Sequence, residues 1–232
     1  MSLRTTTFIT DFIVAGCAIL ALIVVIPAAS AASNRIRPGW RAWVWPLVFL
    51  SLAGSSICGG FATLAKDNED APLVQVTNLL LGLTLHWIIL NSFYRVLPDT
   101  VARLIAPSVW LGYAIFVVAR LFSNSFLAVT IYEIICGAIV AMAYIAAYAK
   151  DRDRAADAIP ILIGLSLTVL GVLLNTFPFS FDLIILSISN AILFHLLQAV
   201  GVIFFMLGGN SSYSVKYAAE RRRERERELI QS

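Results

Sequence analysis

Seven apolar runs, each long enough to cross a lipid bilayer, constrain the fold of this chain more than any other feature. A membrane-spanning helix needs about 20 mostly apolar residues. The runs cover approximately residues 7–32, 42–65, 72–97, 101–121, 126–149, 158–176 and 182–209. Only 13% of the residues are charged, whereas a soluble domain is about a quarter charged. We therefore predict an all-α, polytopic integral membrane protein with seven transmembrane helices in one bundle. Because the connections are short, we expect consecutive helices to be antiparallel neighbours.

The positive charges lie mostly on one side of this predicted bundle. With seven spans, 14 of the 17 Lys and Arg residues fall on the side that holds the C-terminus. The positive-inside rule then predicts an N-terminus outside and a cytoplasmic C-terminus. We divide the chain into a transmembrane domain, residues 1–210, and a charged cytoplasmic tail, residues 211–232. The RRRERERE run of the tail is typical of a solvated helical extension, and an anionic-lipid patch or an Arg-based sorting signal is the alternative interpretation.

The first apolar run also has features of a secretory signal. Its charged start, apolar centre and Ala29-Ser30-Ala31 match the pattern that precedes a cleavage site. Cleavage there would leave the basic residues of the next connection on the wrong side of the membrane. We therefore predict that the first helix is retained.

Polar and small residues recur at helical spacing within several runs. Asn78, Gly82 and His86 follow at i, i+4 and i+8, and Gly164, Thr168 and Gly171 follow a similar spacing. In the seventh run, four polar residues fall within about 140° of arc; these are Ser187, Asn190, His195 and Gln198. Close helix packing and hydrogen bonds between helices are the favoured interpretation of these stripes.

Ionisable residues inside the runs are harder to explain by packing alone. Asp11 lies in the outer part of the first run, Glu133 about a third of the way down the fifth, and Asp182 at the outer end of the seventh. Both histidines, His86 and His195, lie near mid-depth in the predicted spans. Charged groups at such depth are costly and usually face the interior of a bundle.

We predict a polar cavity that opens toward the outer leaflet. Its candidate residues are His86, Glu133, His195, Asn190, Gln198, Asn78, Asp11 and Asp182. For either histidine alone, a neutral imidazole satisfied by neighbouring polar groups is slightly favoured over a functional role.

Several functional classes lack their motifs. There is no Gly-rich phosphate loop, no G-x-S-x-G and no H-E-x-x-H, and nothing indicates nucleic-acid binding. The three cysteines all fall inside apolar runs, which is typical of small buried apolar residues rather than of a disulfide framework. We predict neither a metal site nor a cofactor.

The small, Ser-rich second run and the histidine of the seventh resemble one known group, the alkaline ceramidase and progestin/adiponectin-receptor superfamily. That resemblance implies a seven-helix architecture, and its members are zinc hydrolases of lipid amides. Their pattern has Ser-x3-His at the end of the second helix and His-x3-His in the seventh. Here Cys58, Ala62, Ala191 and His195 occupy those four positions, so only His195 matches. Catalytic zinc needs about three protein ligands, so the resemblance does not extend to the metal site.

Three functions follow as hypotheses. The leading one is binding or sensing of a lipid or small amphiphile in the predicted cavity. The first alternative is a membrane-embedded, ceramidase-like lipid hydrolase that uses His86, His195 and a carboxylate. The second is a transporter of a small solute, with proton coupling through Glu133. The expected partners are the bilayer and a lipid or amphiphilic ligand; the sequence leaves the oligomeric state and the identity of the membrane open.

Overall fold

The structure is a computed structural model that describes most of the chain. It describes the backbone of residues 3–35, 39–65, 71–122, 127–150, 155–176, 181–183, 186–188 and 190–231. Within these, it describes the side chains of residues 7–33, 40–65, 71–122, 128–150, 155–174, 190 and 192–213.

Seven long α-helices form the described part of the chain, together with one short 3-10 helix and one two-stranded hairpin. The helices are α1 Leu3–Arg35, α2 Val44–Ala65, α3 Pro72–Val96, α4 Asp99–Phe122, α5 Leu127–Lys150, α6 Ala155–Thr176 and α7 Asn190–Gln231. The 3-10 helix Gly39–Trp43 precedes α2. All seven helices are long and apolar enough to cross a membrane. The predicted helical membrane protein is confirmed at that level, and the first six predicted runs agree closely with α1 to α6.

The seventh predicted run needs a correction, because its first part is not helical. Phe181–Leu183 and Leu186–Ile188 form antiparallel strands β1 and β2, with Asp182 opposite Ser187. Helix α7 begins only at Asn190, and its spanning part is Ile192–Tyr213. Hydropathy does not separate a short apolar strand from a helix, and the Ile-rich composition of this segment is compatible with strands. The helix α7 then continues without interruption past residue 210, the predicted boundary of the tail.

The helices alternate in direction, which defines two ends of the bundle. We call the end at which α1, α3, α5 and α7 begin the N-side, and the opposite end the C-side.

Contacts run in a closed ring from α1 through α2, α3, α5, α6 and α7 back to α1. Helix α4 lies outside this ring, mainly against α3. Among the described residues, the buried members of the main apolar core come from the six ring helices and none from α4. Consecutive helices of the bundle are neighbours, as expected, although the contact between α4 and α5 is weak and includes the stacked rings of Phe116 and Tyr132.

Glycines allow α6 and α7 to approach until their backbones touch. A Cβ atom added to Gly164 would lie 2.8 Å from the carbonyl oxygen of Gly201, and one added to Gly201 would lie 3.1 Å from that of Gly164. The side chain of Thr168 and the ring of Phe194 on Gly171 complete this contact. The predicted packing role of the Gly164, Thr168 and Gly171 stripe is confirmed.

A buried ionic network joins the helices at the C-side. Arg95 Nε of α3 donates a hydrogen bond to Asp157 Oδ2 of α6 at 2.6 Å, and Arg95 Nη2 lies at ion-pair distance, 2.5 Å, from the same oxygen. Another Arg95 nitrogen donates to the carbonyl oxygen of Ser212 in α7 at 3.2 Å. Next to it, Asn91 donates to the hydroxyl of Tyr144 in α5 at 3.3 Å. We call Arg95, Asp157, Ser212, Asn91 and Tyr144 the C-side network.

A second ion pair at the C-side has a far more exposed carboxylate. It therefore serves as a control for the effect of breaking the buried pair between Arg95 and Asp157. Arg41 lies 2.9 Å from Asp99 at the start of α4, but the Asp99 side chain is 60% exposed. The Arg41 guanidinium also lies over the ring of Tyr94, 4.0 Å from its centroid.

Replacing Asp157 by Asn should destabilise the bundle much more than replacing Asp99 by Asn. The first change leaves a buried guanidinium without its counter-ion, which typically costs about 3–5 kcal/mol. The second removes an exposed partner, worth about 0–1 kcal/mol, and leaves Arg41 packed on Tyr94. The free energy of unfolding in bicelles measures both, and equal losses would contradict a central role for the buried pair.

Candidate functional site

A polar cavity of about 150 Å³ lies among the ring helices at the N-side. Its lining residues are Asp11, Ser55, Ser56, Gly59, Thr77, Asn78, Leu81, Glu133, Val172, Phe194, His195 and Gln198. Each lies within ten residues of the N-side end of its helix, or within about 15 Å along the helix axis. Helices α1, α2, α3, α5, α6 and α7 all contribute, so the cavity exists only because the ring closes.

The closest contact between ionisable side chains in the cavity joins α1 to α7. His195 Nδ1 lies 3.2 Å from Asp11 Oδ1, and the two side chains are only 14% and 8% exposed. This separation is an ion-pair distance, but the imidazole is not oriented for a regular hydrogen bond. The Asp11 carboxylate also accepts a hydrogen bond from Thr63 of α2, and His195 bonds to Gln198 one turn later.

Small residues of α2 make room for the Asp11 side chain. A Cβ atom on Gly59 would lie 3.9 Å from Asp11 Oδ1, and one on Gly60 would lie 3.3 Å from Asp11 Cβ. A Gly60 Cβ would also come within 2.7 Å of the Phe12 ring. A larger residue at Gly60 would push α1 and its carboxylate away from α2.

Hydrogen bonds between α2 and α3 fix one wall of the cavity, next to α5, the helix of Glu133. Ser55 donates to the carbonyl oxygen of Thr77 at 2.9 Å. One helical turn further toward the C-side, the hydroxyls of Ser51 and Thr84 lie 2.9 Å apart. Interhelical hydrogen bonds of this kind hold Asn78 at the same level as Asp11.

Glu133 lies where the polar cavity meets a larger, mostly apolar one. The second cavity has a volume of about 260 Å³ and extends toward the middle of the bundle between α2, α3, α5, α6 and α7. Its lining is dominated by Leu, Val, Ile and Phe, with Thr84, Thr130, Thr168 and Gln198 at intervals. Among the described side chains, none forms an ion pair or hydrogen bond with Glu133. Glu133 and Gln198 line both cavities.

Five of the eight sequence-predicted site residues therefore meet at one cavity. They are Asp11, Asn78, Glu133, His195 and Gln198. Asn190 is the first residue of α7 and lines neither cavity. Asp182 belongs to strand β1, and its side chain lies outside the described part of the chain.

His86 does not belong to this cluster, although it shares a stripe with Asn78. It is fully buried within aromatic rings, 4.1 Å from the ring centroid of Trp110 and 5.4 Å from that of Tyr113, both on α4. The ring of Trp87 lies 5.3 Å away. Gly82, between Asn78 and His86, packs against Phe116 of α4. The prediction that both histidines face one cavity is wrong, because His86 faces the helix outside the ring.

His195 also lies at a different depth from the predicted one. It is the sixth residue of α7, about 8 Å from the start of the helix, and not near mid-depth. The error follows from the late start of α7. This shift brings His195 level with Asp11.

Sequence reasoning did not single out Ser55, Ser56, Gly59 or Thr77 as cavity residues. The available signal was the run of small residues in α2, which indicates close packing but not an adjoining space. The apolar cavity left no signal, because its lining residues are those of any membrane-helix core.

Comparison with protein families gives one match. The model of DUF6962, a family of unknown function, matches residues 6–213. The chain belongs to this family. The matched region contains all seven candidate spans and ends with the last of them, Ile192–Tyr213, so the family is defined by the whole bundle. Neither a curated protein nor a solved structure matches significantly.

The cavity offers hydrogen bonding and charge more readily than metal ligation. Among the described residues, no group of three His, Cys, Asp or Glu side chains converges as metal ligands. Cys58 and Ala62, at the positions of the Ser-x3-His pattern, do not line either cavity. The polar cavity adjoins the apolar one, with which it shares part of its lining.

Double-mutant cycles that measure stability should show that Asp11 is energetically coupled to His195 and not to His86. Asp11→Asn and His195→Gln should show a coupling energy of about 0.5–3 kcal/mol, because the two side chains are in contact. Asp11→Asn and His86→Gln should be additive within about 0.5 kcal/mol, because His86 packs in a separate aromatic cluster. Unfolding free energies of the single and double variants give both values. Coupling of Asp11 to His86 but not to His195 would contradict this site.

Proposed function

We propose that the protein binds a lipid or small amphiphile within the bundle, with the polar head in the polar cavity and the apolar tail in the apolar cavity. One observation supports this proposal: the two cavities adjoin and differ in lining, and of the five described residues that line both, Glu133 and Gln198 are polar whereas Leu81, Val172 and Phe194 are apolar. Each cavity is smaller than a typical ligand pocket, whereas the two joined reach the lower end of the range of about 300–1,000 Å³. The apolar part has a volume of about 260 Å³ and an almost wholly apolar lining, which suits a short alkyl chain.

Recognition of such a ligand would depend on its head group. A tail that moves from the bilayer into the apolar cavity exchanges one apolar environment for another, so the hydrophobic effect contributes little. Each well-formed hydrogen bond to the head contributes about 0.5–1.5 kcal/mol. Asn78, Gln198 and the Asp11–His195 pair are the groups that could discriminate between heads.

The geometry supports binding better than hydrolysis. The hydrolase hypothesis requires His86 and His195 at one centre, and His86 packs against α4 instead. Of the residues aligned with the zinc-hydrolase pattern, only His195 lines the polar cavity.

A transport function has one observation in its favour. The polar cavity lies at the N-side, whereas the C-side network ties α3, α5, α6 and α7 together below the apolar cavity. Access from one end and closure at the other is the arrangement expected of one state of a carrier. Binding is common to both hypotheses, so it is the function tested first.

A bulky residue in the apolar cavity should abolish binding of an alkyl probe. Gly137 lines this cavity on α5, and Gly137→Leu would fill part of it. Purified protein in nanodiscs is photolabelled with an octanol analogue that carries a diazirine, and peptide mass spectrometry locates the label. We expect saturable labelling of cavity residues in the wild type and its loss in Gly137→Leu.

Gly112→Leu on α4 is the matched control, because a side chain there meets open space. Labelling of the cavity should persist in that variant. Equal labelling of wild type and Gly137→Leu would overturn the proposed binding site.

We also propose that the N-side faces outward, as the distribution of Lys and Arg predicts. In a variant whose three native cysteines are replaced by Ala, Ala65→Cys at the N-side should react in intact cells with a membrane-impermeant maleimide. Thr100→Cys at the C-side should react only after permeabilisation. Both positions are exposed. The reverse pattern would show that the cavity faces the cytoplasm.

A further inference from the structure

The polar cavity carries more acidic than basic groups. Asp11 and Glu133 both line it, and no Lys or Arg is among the lining residues that the structure describes. The one basic side chain, His195, already lies 3.2 Å from Asp11. A positive charge on His195 is therefore matched by Asp11, and Glu133 remains without a counter-charge from the lining.

Glu133 occupies the position where a ligand's polar head would meet its tail. Among the described residues it is the only acidic one that lines both cavities, and α5 holds it about 9 Å from the start of the helix. A carboxylate among apolar groups is costly unless a cation or hydrogen-bond donors accompany it. Since the described protein side chains supply neither, the missing partner can come from a bound molecule.

The other polar groups of the cavity can accept the hydrogen bonds of an ammonium head group, although as amides and hydroxyls they can also donate. An ammonium group has up to three donors and no acceptor. The side-chain carbonyl oxygens of Asn78 and Gln198 and the hydroxyl oxygens of Ser56 and Thr77 are acceptors in the same cavity. An anionic head would instead face two carboxylates without a Lys or Arg to offset them.

We propose that the ligand is a cationic amphiphile whose ammonium group pairs with Glu133 and whose alkyl chain fills the apolar cavity. This inference rests on the proposed function and adds the charge of the head group. The Asp11–His195 pair then holds α1 against α7 beside the ammonium group without competing for Glu133.

Competition between matched eight-carbon molecules tests the inference. Octylamine, octanol and octanoate compete with the neutral diazirine photoprobe in nanodiscs of zwitterionic lipid, each concentration being corrected for measured partitioning into the bilayer. In the wild type, octylamine should compete about tenfold or more better than octanol, and octanoate should compete worst.

Glu133→Gln should reduce the preference for the amine to less than about threefold, because the counter-charge is lost. Asp99→Asn, which removes an exposed carboxylate at the opposite end of the bundle, should keep the full preference. Saturable labelling of Glu133→Gln by the neutral probe confirms that this variant is folded. If that variant is not labelled, Glu133→Asp should preserve the preference in its place.

The outcomes separate this inference from the proposed function. Equal competition by amine and alcohol, with labelling still abolished in Gly137→Leu, would overturn the cationic ligand and keep the binding site. An amine preference that survives Glu133→Gln would overturn the role of Glu133. Absence of saturable labelling in the wild type would overturn both proposals.

Discussion

The buried ion pair between Arg95 and Asp157 is the constraint on which the rest of the bundle depends. It joins α3 to α6 through groups that are 5% and 2% exposed, and Arg95 extends the contact to the backbone of α7. A buried pair of this kind is destabilising to break, although it need not stabilise the fold relative to an apolar replacement. Its main consequence is register. Because a guanidinium must reach a carboxylate, α3, α6 and α7 are fixed axially at the C-side.

That register determines which residues meet at the other end. Helices α3, α6 and α7 extend from the C-side network to the N-side. There, Asn78, Val172 and His195 line the same cavity. Between the ends, Gly164 and Gly201 bring α6 and α7 into backbone contact. No corresponding glycine contact lies between α5 and α6, where a Cβ on Gly137 would find only ordinary contact with Leu165 at 3.6 Å. The apolar cavity lies beside that looser contact.

The sequence predicted the helices far better than the neighbours of each helix. Hydropathy and length identify a span because the bilayer imposes both, and six runs agree with the structure closely. The position of α4 outside the ring has no such physical signature. The position of α4 explains why Asn78, Gly82 and His86 do not all face the cavity. Each step of four residues rotates the side-chain direction by about 40° around the helix axis, or by about 80° over two steps. One end of the stripe therefore faces the cavity, and the other faces α4.

Asp11, Glu133 and His195 could be predicted as site residues because ionisable groups inside a span are rarely accidental. Their partners could not be predicted, since pairing depends on the relative depth of helices that are far apart in sequence. The contact between Asp11 and His195 depends on the late start of α7. If the helix began at residue 182, His195 would lie too far along the bundle to reach Asp11. Strands β1 and β2 occupy the place of the first predicted helical turns, so α7 begins at Asn190 and the imidazole lies near the carboxylate. With Asp11 in contact with His195, Glu133 remains as the acidic side chain, among those the structure describes, that lines both cavities without such a neighbour.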